Sequence, residues 1–207
     1  MNKSLSLLGT LGCLILTAGC FGAPRAQQTA IAQKRAFIPV AAPAAPQATR
    51  FAALKVHAFR TLPPFDANTF IVRRAGNEFV RDYYNTWVAP PNDLIRSQTV
   101  RHLEESRLFS SLYDASSSTL PPLGLEGVVS ELFLDFSGAK PAAVVTLRLQ
   151  VLDERSPSFT VLFSEEKSGR AEFDASDKNA PAQAFGASLT QALEALLQAL
   201  SASSLPK

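Results

Sequence analysis

The chain has 207 residues, room for one sizeable domain with tails, and at 46% hydrophobic and 18% charged residues it falls in the globular range. Twenty basic against 18 acidic side chains leave a formal charge of +2, too little for a broad electrostatic attraction, which argues against nucleic acid as a partner. The two cysteines, Cys13 and Cys20, both fall in the first 20 residues, so the body must hold together by burial and not by disulfides.

The N-terminus reads as an export leader. Lys3 supplies a positive start, and residues 5–18 are uncharged and apolar but shorter than the roughly 20 residues of a membrane-spanning helix. They run into Leu16-Thr17-Ala18-Gly19-Cys20, a lipobox-like ending. Small residues there let the backbone enter a peptidase cleft, and the thiol is the nucleophile that lipid transfer needs. Thr17 stands where Leu is commonest in such endings, the Leu being displaced to position 16. Residues 1–19 are expected to be a signal peptide and Cys20 the lipid-attachment residue. The competing readings are an ordinary signal peptide with an incidental cysteine, or a buried helix. Phe21, not Asp, follows Cys20, which favours the outer membrane as destination. Acyl chains contribute about 0.8 kcal/mol per buried methylene and so make a durable anchor.

Residues 20–50 are expected to be the lipidated cysteine and an Ala/Pro-rich linker, with Ala41-Ala42-Pro43-Ala44-Ala45-Pro46 unable to build a core. Residues 36–40 interrupt it as a candidate edge strand. The domain is expected over residues 51–201, with a tail at 202–207. Leu54, Val56 and Ala58 share one face of a first strand. Residues 69–73 and 78–84 form a hairpin around Ala75-Gly76-Asn77, residue types that tolerate positive φ. Pro90-Pro91-Asn92-Asp93 opens a helix that Asn92 or Asp93 can cap. Its apolar stripe is Leu94, Ile95 and Leu103, and its wet side Arg96, Arg101, Glu104 and Glu105.

A three-strand meander follows. Val128, Leu132, Leu134 and Phe136 share a face of its first strand. Val145, Leu147, Leu149 and Val151 alternate with Val144, Thr146, Arg148 and Gln150 in the second, and Phe159, Val161 and Phe163 form the third row. A last helix begins at Asn179 as cap with Pro181 in its first turn. Its stripe of Phe185, Leu189, Leu193, Leu196 and Leu200 suits packing on the domain's own sheet, and less well a membrane or partner. The fold class is α+β: a largely antiparallel β-sheet with two main α-helices packed on one face.

Motifs for catalysis are missing from the sequence. It has no P-loop and no Gly-x-Ser-x-Gly elbow. His57 and His102 stand far apart without a metal-ligand pattern, so neither a metal nor another cofactor is expected. Glu104-Glu105 and Glu165-Glu166 are adjacent pairs whose side chains diverge, which suits solvated charges better than acid–base work. Tyr83, Tyr84 and Trp87, just before Pro90, form an aromatic cluster. It either meets a partner or ligand, or plugs the corner between strand and helix, and burial of large aromatics favours the corner.

Residues 51–201 resemble the ABC-type transport auxiliary lipoproteins, the family that includes the paraquat-inducible protein C-type lipoproteins. The resemblance rests on Ile71-Val72-Arg73-Arg74, on Asn77-Glu78 with the aromatic stretch behind it, on Trp87 with Pro90, and on the Ala/Leu-rich last helix. A Tyr-x-Leu first strand is missing, and Phe37-Ile38-Pro39-Val40 stands in its place. The resemblance implies a non-enzymatic docking lipoprotein on the periplasmic face of the outer membrane. Its implied partners are an MCE-domain (mammalian-cell-entry) substrate-binding protein and the ABC transporter components of an intermembrane lipid transport system. Homo-oligomerisation stays open. The alternative reading is a lipoprotein that binds lipid or another hydrophobic ligand in a groove between sheet and helix, a use for its 14 phenylalanines. An envelope hydrolase using a carboxylate pair is the third.

Overall fold

The computed structural model describes residues 34–44, 48–155 and 157–207. The leader and Cys20 lie outside the described residues. The strands are β1 (Lys34–Ala36), β2 (Leu54–Val56), β3 (Arg60–Thr61), β4 (Thr69–Arg74), β5 (Glu78–Trp87), β6 (Leu112–Asp114), β7 (Leu123–Asp135), β8 (Ala142–Asp153) and β9 (Thr160–Glu172). The helices are α1 (Pro91–Ser106) and α2 (Ala180–Ala202).

β7 is the axis of the sheet. One of its edges pairs antiparallel with β8 along its length, and β9 pairs antiparallel with β8 beyond it. Its other edge takes β2, β3 and β4 in succession, all parallel. β6 extends the sheet past β2, and β5 and then β1 extend it past β4. The α+β class holds, and the expected meander is β7-β8-β9, but the sheet as a whole is mixed. The parallel pairs come from short segments of 2–6 residues with weak alternation of their own.

α2 covers β8 and β9, while α1 packs against α2, β7 and β3. The stripe Phe185, Leu189, Leu193, Leu196 and Leu200 is buried throughout, each side chain contributing about 1.5–3 kcal/mol on full burial. Gly169 of β9 lets the helix approach, because a Cβ there would collide with the Ser188 carbonyl. That close approach is fixed by the Ser188 hydroxyl donating to the Gly169 carbonyl at 2.7 Å. The expected β4–β5 hairpin forms with Gly76 and Asn77 at positive φ.

Several expectations need correction. Residues 37–40 are not a strand; β1 lies just before them, and Ile38 is buried in the core while Pro39 packs on Gly186. Ala58 is exposed, because the run of β2 stops at Val56. Neither Asn92 nor Asp93 caps α1: Pro90 holds the cap position, and the Asn92 amide donates to Asp93 instead. Asn179 does hold the cap position of α2 but its side chain makes no capping bond. Arg96 is not a wet-side charge. Its guanidinium donates to the carbonyls of Val56 and His57 at 2.9 Å and to Asp114 at 2.6 Å, clamping α1 to β2.

The alternation errors have one cause. A bulge between Val129 and Glu131 shifts β7 by one residue, so Leu123, Leu125 and Val129 face the helices before it, and Leu132 and Leu134 after it. Val128 therefore leaves the row that Leu132 and Leu134 share. A second shift between Val151 and Leu152 leaves Phe163 buried but Phe159 55% and Val161 51% exposed. Val144 and Thr146 are buried on the sheet's other face, where Phe133 stacks on Phe65 at 5.8 Å and Thr146 donates to Glu131 at 2.6 Å.

Candidate functional site

The sequence places Tyr83, Tyr84, Trp87 and Pro90 within eight residues, and the fold separates them. Trp87 is 4% exposed and fills the corner between β5 and the helices, its ring 4.2 Å from Phe70 and 5.0 Å from Phe185. That is the structural role that burial favoured. Pro90 is exposed at the start of α1. Tyr83 and Tyr84 are 67% and 58% exposed on β5, so this part of the cluster faces outward.

The two tyrosines border a groove of about 830 Å³. It exists because α2 starts only at Ala180 and leaves the helix-side face of β4, β5 and the end of β7 uncovered. Val72 pairs in register with both Val80 and Leu134, which puts these three on one face, and they form the floor with Phe136. The segment before α2 makes the opposite wall, where Phe173 meets Phe136 edge-on at 5.9 Å. Phe136 keeps to the face of Leu134, where it is 43% exposed and lines the groove.

The charged rim is uneven. Lys34 donates from Nζ to the Lys178 carbonyl at 2.8 Å, tying β1 to the segment before α2. Asp82 accepts from the Tyr84 amide at 2.9 Å and from Asn85 at 2.6 Å, and Asp177 accepts from the Asn179 amide at 2.8 Å. Arg74 and Lys178 make no ion pair among the described residues. The groove was missed in the sequence because its floor residues read as ordinary strand positions. What could have signalled it is the apolar run of β7 continuing to Phe136, beyond the reach of a helix that begins after Asn179.

Most of the residues considered for chemistry are engaged in structure; among the described residues Glu104 makes no ion pair and the buried His102 Nε2 has no hydrogen-bond partner. Glu166 takes bonds from Arg148 at 3.0 Å and Ser130 at 2.6 Å, Glu105 pairs with Arg101, and Glu165 with Lys167. His57 pairs through Nε2 with Glu154, a contact across 97 residues that no local motif announces. His102 is buried on α1, where loss of hydration lowers its pKa despite a bond to the Ala41 carbonyl. Asp135, 3% exposed, receives Arg73, Ser137 and Arg170, and the Arg73 guanidinium holds its carboxyl far below the usual range. Among the described residues no group of His, Cys, Asp and Glu is placed to hold a metal ion, and no helix is long and apolar enough to cross a membrane.

No family model matches the chain, and no curated protein does. Among solved structures it is similar to protein XCC0632 from Xanthomonas campestris, of family DUF330, at 22% identity over 79% of this chain and 91% of that one, with a TM-score of 0.63. It is also similar to an uncharacterised protein at 11% identity, over 75% and 99% of the two chains, with a TM-score of 0.60. A third likeness is to the hypothetical protein CT253 from Chlamydia trachomatis, at 9% identity over 74% and 98%, with a TM-score of 0.50. At these identities what is shared is the fold.

Proposed function

We propose that this chain is a lipoprotein held at the periplasmic face of the outer membrane through Cys20, where it acts without catalysis as a docking component of an MCE-type intermembrane lipid transport system. The lipobox-like ending supports the anchor. The observation that carries the docking role is the pair of exposed rings on β5, Tyr83 and Tyr84, beside an open groove. Tyrosine presents a large rigid surface at low entropic cost, which is why it is enriched where proteins meet. The non-enzymatic part of the reading is supported by the ion pairs that take up Glu105, Glu165, Glu166, His57 and Asp135.

The test is crosslinking in living cells with a photoreactive amino acid at position 84. The expected result is an adduct with an MCE-domain protein, reduced at least about tenfold by Tyr83→Ala, a substitution at an exposed site that should leave folding within about 0.5 kcal/mol. Repeated failure to recover such a protein from correctly processed, membrane-bound chain would sink the docking role.

A further inference from the structure

The groove has a shape and a charge pattern that protein docking alone does not need. We infer that it binds a single-chain anionic amphiphile, with the acyl chain over Val72, Val80, Leu134 and Phe136 and the anionic head at Arg74 and Lys178. The floor is continuous apolar surface on the face that α2 covers further along the sheet. Phe136, 43% exposed, and half-buried Val72 and Val80 keep apolar area in water there, which an acyl chain laid on them would remove. Its volume of about 830 Å³ sits in the range of about 300–1,000 Å³ typical of sites for small ligands, which suits one acyl chain better than a two-chain lipid.

The head is assigned by charge. Both acids on the rim already accept hydrogen bonds from the protein: Asp82 from the Tyr84 amide and Asn85, Asp177 from the Asn179 amide. Arg74 and Lys178 have no carboxylate partner among the described residues. The rim carries four cations, Lys34, Arg74, Arg81 and Lys178, against two acids, Asp82 and Asp177, so a carboxylate or phosphate head meets complementary charge while a cationic head does not. This inference stands on the groove itself and does not require the docking reading, since its test needs no partner protein.

The experiment uses the mature, lipid-anchored chain exchanged into amphipol. It is illuminated with palmitic acid carrying a terminal diazirine, and in parallel with the matching diazirine hexadecanol, and labelled peptides are mapped by mass spectrometry. The expected result is saturable palmitate labelling confined to peptides covering residues 72–84, 134–136 and 173–181, displaced by unlabelled palmitate. Arg74→Glu with Lys178→Glu should cut palmitate labelling about tenfold and spare hexadecanol. Val80→Trp, filling the floor at a half-buried position, should remove both. Labelling that is unsaturable or spread over other surfaces overturns the site. Equal palmitate labelling in the charge-reversed variant overturns the anionic head. Crosslinks from the groove to residues 21–33 in place of the probe overturn it in favour of occupation by the chain itself.

Discussion

Asp135 shows how a single residue can tie three strands together. Its carboxylate sits on β7 and accepts Arg73 of β4 at 2.8 and 3.2 Å, Arg170 of β9 at 2.7 Å and Ser137 at 2.6 Å. Burial alone would raise its pKa; the Arg73 bond, with Ser137 and Arg170 behind it, outweighs that and lowers it. A folded-state pKa below the ordinary value of about 3.9 means that the unfolded chain takes up the proton first. The stabilisation is thus complete above about pH 4 and is lost as pH falls through and below that value. His102 acts in the same direction at higher pH, since its lowered pKa makes the unfolded chain the better proton acceptor below about 6.5. Asp135→Asn should cost about 1–3 kcal/mol at pH 7, the scale for leaving a buried hydrogen-bonding group unsatisfied, with partly exposed arginines keeping it from being larger. Urea unfolding at pH 7 and pH 3 checks this: the gap between variant and wild type should narrow at pH 3. A gap of equal size at both would show that the charge of Asp135 is not what holds the strands.

At the scale of elements, the patterns that could be read were those generated by long regular runs. α2 shows its stripe because 23 residues sample the helical period several times, and β8 shows its alternation over 12. What escaped was set by single-residue events or by tertiary contact. The register shift at Ser130 inverts every later face of β7, and no composition marks it. β2, β3 and β6 are two or three residues long and exist because β7 or a neighbour offers an edge. Residues 34–44 were the largest surprise, because alanine and proline hide one anchor. Lys34–Ala36 pairs with β5, Ile38 enters the core, and the Ala41 amide donates to Thr190 at 3.2 Å. The far end behaves alike: Leu205 is buried and the Pro206 carbonyl accepts the Ala52 amide, so the expected tail closes the fold. Ile38→Ala should therefore cost about 2–5 kcal/mol, as for a large core side chain. Phe37→Ala next to it, at a half-exposed ring, should stay within about 0.5 kcal/mol. Chemical denaturation of both variants decides it; equal, small effects would mean that residues 34–44 are a tether after all.

At the scale of the whole molecule, the early start of folding shortens the tether. With β1 beginning at Lys34, only residues 21–33 separate the proposed anchor from the folded body. Covalent geometry allows that stretch to reach at most about 45 Å, at ~3.5 Å per residue. On the proposed docking reading the body would meet its partner close to its own membrane, and one rim residue of the groove, Lys34, is the first described residue of the chain. The candidate site was half legible for the same reason that the fold was. Tyr83 and Tyr84 stood out as side chains, whereas the groove beside them arises from where a distant helix begins. Anchor and fold should be separable, because the core cluster is built from residues between Ile38 and Leu205. Cys20→Ala, behind an export leader whose cleavage does not need the thiol, is expected to move the chain out of the fraction that sediments with membranes and to abolish the mass increment of the acyl chains. The amide-exchange protection of β7, β8 and α2 should stay as in the wild type, since these elements lie in the body that begins at residue 34. A variant that still sediments with membranes and carries no acyl mass would show that something other than the thiol holds the protein there. Loss of protection together with loss of the anchor would show instead that the body needs its lipid anchor to fold.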